Sequence, residues 1–139
     1  MKTQNEKVGA AMRRPTSIIV ICVLVILQVY RIIAYQYAQG SWFFPASADV
    51  FFGITAPFVA FALWRRIGLG IWTTGIVWLA LSFFDYLDGL ATAIKFGPPT
   101  AEMGSGPAVI WFLGWLAINV IAFALITHNS VRIYYLRTL

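Results

Sequence analysis

Residues 17–35 read SIIVICVLVILQVYRIIAY, an apolar run whose only charge is Arg31. A helix needs about 20 mostly apolar residues to cross the hydrocarbon core of a bilayer, and this stretch is long enough. Arg13 and Arg14 precede it, as basic residues precede the apolar segment of a signal peptide. The run is too long for one, however. Gln28 and Arg31 stand where a small-residue cleavage site would close it. It reads as a retained membrane span.

Three further stretches meet the same criterion: 46–64 (ASADVFFGITAPFVAFALW), 70–94 and 108–127. Turn signals separate the four, at Gln39-Gly40, at Arg65-Arg66-Ile67-Gly68 and across the Gly/Pro-rich residues 97–107. No segment alternates with period two, which argues against a barrel. Composition agrees: the 139 residues are 60% hydrophobic and 11% charged, against about 25% charged in a soluble domain. A mean hydropathy of +0.79 excludes a disordered chain, and the single cysteine, Cys22, excludes a disulfide scaffold. The expected fold is all-α: one domain, residues 1–139, forming a four-transmembrane-helix bundle.

Basic residues set the direction of insertion. Lys2, Lys7, Arg13 and Arg14 precede the first span, Arg65 and Arg66 lie in the second loop, and Arg132 and Arg137 follow the fourth span. Those eight of the ten Lys and Arg residues fall on one side, so both termini are expected to be cytoplasmic. The same distribution explains the net charge of +5 without nucleic acid. Membrane lipids are the expected neighbours.

Ionisable groups inside a span are costly and by default mark a site. Arg31, Asp49, Asp85 and Asp88 all fall in the outer half under this orientation, and they are expected to meet. Helical spacing adds Gln28 and Tyr35 on the face of Arg31, with Trp78 and Ser82 on the stripe of Asp85. Trp115 and Asn119 share a face of the fourth helix with Trp111. Together these describe an outer-half cavity with a polar floor and aromatic walls. Pro57 removes a helix hydrogen bond and is expected to open space in the same layer.

Structural readings stand beside the functional ones. Ser47 caps the second helix while Asp49 meets its N-terminal dipole. Arg31 and Asp85 form an ion pair locking two helices. Asp88 reaches the headgroups or pairs with Lys95. Asn119 makes a helix–helix hydrogen bond, and most tryptophans belong to the interfacial belt.

Enzyme signatures are absent. Asp85-Tyr86-Leu87-Asp88-Gly89 is similar to the opening of the CDP-alcohol phosphotransferase signature, but the second aspartate pair and the Ala-Arg pair are missing. One cysteine and one histidine, His128, exclude a thiol relay and a bis-histidine haem within one chain. Arg31 opposes a carboxylate metal site, so none is expected, and no residue pattern identifies a cofactor.

Tyr30-Arg31-Ile32-Ile33, then Phe44-Pro45-Ala46-Ser47-Ala48-Asp49 continuing through Gly53 to Pro57, then Trp78 and Asp85, resemble a widespread group of small uncharacterised bacterial four-helix inner-membrane proteins. The group commonly has glycine where this chain has Ala48, and the likeness covers about half the sequence. It implies the bacterial inner membrane and that Arg31, Asp49 and Asp85 belong together. It implies no activity. The leading functional expectation is binding of a lipophilic or amphipathic small molecule in the outer-half pocket. The alternatives are an accessory subunit of a larger membrane complex, and a proton- or ion-coupled transporter acting as a homo-oligomer.

Overall fold

The computed structural model describes residues 14–36, 43–98 and 104–137, and every regular element among them is helical. The first span consists of α1 (Thr16–Ile26), a 3-10 turn (Leu27–Tyr30) and α2 (Arg31–Gln36). The second is α3 (Phe43–Arg65), the third α4 (Leu69–Phe96) and the fourth α5 (Ser105–Thr127). A short helix, α6 (Asn129–Leu136), follows. Among the described residues there are thus four helical segments long and apolar enough to cross a membrane, the make-up of a multi-pass membrane protein. The run of Ile and Val in α1 is a modest helix former in water. In lipid the unsatisfied backbone leaves it no other state.

The first span packs on α3 and α5, and α4 packs on the same two helices, so the spans form an up-and-down ring in chain order. Arg14, Arg65, Arg66, Arg132 and Arg137 gather at one end, the basic end; Asp49, Asp85 and Asp88 lie toward the other, the acidic end. Glycines with positive φ, Gly68 (125°) and Gly97 (91°), flank α4, and Pro98 completes the stop after it.

The apolar core fills the basic half. Ile18, Ile21 and Val25 meet Phe52, Ala56, Ala60 and Leu63 across the first two spans, with Leu79, Ala122 and Ile126 opposite. A smaller apolar contact, Ala93 with Ala108, closes α4 on α5 near the acidic end. The polar layer lies between the two. α3 continues unbroken through Pro57. The open space beside Pro57 runs toward the basic end, between Ile19, Cys22, Ala60 and Trp64, and not into the polar layer as the sequence suggested.

The sequence gives the chain after Thr127 only as a basic anchor; it forms α6. His128 caps it, with Nδ1 accepting from the Ser130 N–H at 3.4 Å. Val131, Tyr134 and Tyr135 are buried at i, i+3 and i+4, closing the bundle's base. Tyr135 Oη donates to the Leu63 carbonyl at 2.5 Å, and Trp72 Nε1 to the Ile126 carbonyl at 2.9 Å. Both carbonyls belong to helix ends, where intrahelical donors run out. Burial pushes the Tyr135 phenol above its usual pKa.

Candidate functional site

Every span contributes to one polar layer. Arg31 opens α2 just after the 3-10 turn, and its side chain, 1% exposed, crosses to the far helix of the ring. Its Nε donates to Asp49 Oδ1 of α3 at 2.5 Å. Nη2 donates to Asp85 Oδ2 of α4. Nη1 donates to Gln28 Oε1 and to Ser82 Oγ, each at 3.2 Å. The planar fork suits this task, presenting donors in several fixed directions at once. Rings close its two faces: the guanidinium carbon stands 4.5 Å from the Phe52 centroid and 4.3 Å from that of Tyr86.

Gln28 is the second hub. Its Oε1 also accepts from Ser82 Oγ and Tyr86 Oη, each at 3.2 Å. Three converging donors fix which way the amide points. Its Nε2 therefore faces Asn119 Oδ1 on α5, at 3.4 Å. Asn119 Nδ2 returns to the Trp115 carbonyl of its own helix at 2.9 Å. Tyr86 spends its proton on Gln28, so Tyr30 Oη is the donor in the 3.0 Å contact between the two hydroxyls.

Aromatic rings wall one side. Trp115 stacks on Tyr30 at 4.5 Å and lies parallel to Tyr86 at 5.9 Å, while Trp111 meets Tyr30 edge-on at 5.6 Å. Trp78 belongs elsewhere. It packs edge-on against Phe52 and donates Nε1 to Thr55 Oγ1 at 2.9 Å, tying α4 to α3.

Of the residues expected here, Arg31, Asp49, Asp85, Gln28, Ser82, Asn119 and Trp115 come together. Asp88 does not. It is exposed and makes no ion pair among the described residues, while Lys95, its expected partner, lies 4.9 Å over the Phe96 ring. Three residues along a helix leave Asp88 about 60° round from Asp85 and about 4.5 Å further up, outside the reach of Arg31. The Tyr35 side chain lies outside the described residues, as do Lys2, Lys7 and Arg13. Asp49 is not a helix-start residue either. α3 begins at Phe43, and its first turn holds no acid.

Three members escaped sequence reasoning: Tyr30, Phe52 and Tyr86. A signal for Tyr86 was present. Gly75, Ser82 and Gly89 recur every seven residues, with Leu79, Tyr86 and Ala93 in register between them, and all six are buried. This is a heptad seam. Asp85 borders it and Asp88 lies outside it.

No protein family, curated protein or solved structure matches this chain. The resemblance noted above rests on its own residues.

Chemically, the layer holds one cation against two carboxylates, a formal charge of −1. Asp49 and Asp85 remain 25% and 18% exposed, whereas Arg31 has none of its charge open to a ligand. Among the described residues no group of His, Cys, Asp or Glu is arranged to hold a metal ion. Of the charged side chains in the layer, the two aspartates keep partial exposure and the arginine does not.

Proposed function

We propose that this protein binds a lipophilic or amphipathic small molecule at the acidic end of the bundle. Asp49 and Asp85 would receive its polar head, and Tyr30, Trp111 and Trp115 its apolar body. The observation that supports this reading is the partial opening of both carboxylates while their shared arginine is sealed. Arg31 then acts as the holder of the acids and not as the ligand's anchor. A head that carries positive charge fits such oxygens; an anionic head does not. On this reading the acidic end faces the outer side of a bacterial inner membrane and both termini lie in the cytoplasm; the distribution of Lys and Arg supports the orientation.

The test uses the protein in nanodiscs, titrated with octyltrimethylammonium and with octanol, reading tryptophan emission. A saturable response to the ammonium, lost in Asp85→Asn and kept in Asp88→Asn, supports the reading. Equal responses to both compounds, or no effect of Asp85→Asn, overturn it and favour the accessory-subunit alternative, in which the layer only holds the spans together. An octyltrimethylammonium response that drives ion flux in liposomes would favour the transporter.

A further inference from the structure

A second open space lies toward the opposite end, away from the carboxylates. The groove beside Pro57, of about 410 Å³, runs between α1 and α3 and is lined by Ile19, Cys22, Val23, Ile26, Ala60, Phe61 and Trp64 as well as the proline. Ala60 and Cys22 form its floor, where Cys22 Sγ approaches the Ala60 carbonyl at 3.5 Å. From Ile19 to Ile26 the helix rises about 10 Å, so the groove is long, narrow and apolar.

Its basic mouth is marked by charge. The Arg14 guanidinium carbon stands 4.0 Å from the centroid of the Trp64 ring, and that of Arg65 stands 5.8 Å from the Phe61 ring. Both rings line the groove. Neither arginine is paired with a carboxylate among the described residues; besides its ring contact, Arg14 donates Nε to the neutral Tyr134 hydroxyl at 3.4 Å. An apolar channel that opens between two uncompensated cations matches a molecule with an acyl chain and an anionic head. We infer that this groove is a binding site for one phospholipid with an anionic headgroup. The head lies between Arg14 and Arg65, and one chain extends along α1 toward Pro57. Its cohesion combines chain burial with attraction of the head to the two arginines.

Native mass spectrometry of the full chain from detergent, with phosphatidylglycerol and phosphatidylcholine of identical chains, tests this. The wild type retains one phosphatidylglycerol in preference to phosphatidylcholine. Arg14→Ala with Arg65→Ala lowers that preference about thirtyfold, roughly fivefold for each arginine near an anionic head. Val23→Trp, at an exposed rim position, blocks the channel and lowers retention of both lipids without touching the core. Equal retention of the two lipids by the wild type identifies ordinary surrounding lipid and overturns the inference. So does a preference that survives the double substitution, which assigns it to Arg66, Arg132 or Arg137, or a dimer that Val23→Trp dissociates.

Discussion

Arg31→Met removes the cation and leaves two carboxylates, on neighbouring helices, without their shared partner. Breaking a buried pair by deleting one partner costs about 3–5 kcal/mol. Partial exposure of Asp49 and Asp85 moves the estimate to the lower end of that range. Loss of the two ring contacts adds about 1 kcal/mol, and Gln28 and Ser82 lose a donor each. The expected destabilisation is about 4 kcal/mol. In the triple variant Arg31→Met, Asp49→Asn, Asp85→Asn no charge is orphaned, so about 1–2 kcal/mol of lost contacts remains. The triple variant is therefore more stable than the single one. SDS titration of the protein in mild micelles, followed by tryptophan fluorescence and far-UV circular dichroism, measures both. A loss under about 1 kcal/mol for Arg31→Met, or a triple variant as weak as the single, would show that Arg31 does not hold the two acids in place.

Other expectations follow from packing, pH and topology. A Cβ on Gly89 would stand 2.5 Å from Phe112 Cε1, so Gly89→Val lowers stability by about 1–3 kcal/mol; Gly114→Ala, which meets nothing within 4 Å, leaves the thermal midpoint nearly unchanged. Burial raises the Tyr135 phenol, so the folded state holds its proton more tightly than the unfolded chain. That contribution is complete below the usual phenol pKa near 10 and fades as pH rises above it. Melting curves at pH 9 and 11 should show a larger loss for the wild type than for Tyr135→Phe, and equal losses would contradict the assignment. A green fluorescent protein fused after Leu139 should fluoresce and alkaline phosphatase fused there should be inactive, since both report a cytoplasmic C-terminus; the reverse pair inverts the topology.

The spans were legible because a bilayer imposes a length and a polarity that local sequence must meet, as residues 17–35 do. Arg31, Asp49 and Asp85 were legible as a group because charge is expensive inside a span and each lies in the half of its span toward the same end of the bundle. Asp88 stands apart from them for a reason of angle: sequence depth places it beside Asp85, while helix rotation turns it away. Phe52 and Tyr30 are apolar or half-polar residues among many aromatics, and only the tertiary arrangement selects Phe52 to cover a guanidinium and Tyr30 to reach the Tyr86 hydroxyl. The helix α6 was hidden because NSVRIYYL is short and mixed in polarity. Its order comes from three side chains buried against the bundle and not from local propensity.

The position of Arg31 also constrains how the protein is made. It precedes Asp49 by 18 residues and Asp85 by 54. At roughly 5–20 residues per second, synthesis delivers the first carboxylate about 1–4 s after the arginine and the second about 3–11 s after it. During that interval the first span carries a charge that the hydrocarbon core resists, and only Gln28, in the same turn of chain, is there to meet it. The first span is therefore expected to settle to full depth when the second arrives with Asp49, and Asp49→Asn should lower the fraction of first spans that insert. A single buried guanidinium would make membrane entry a paired step.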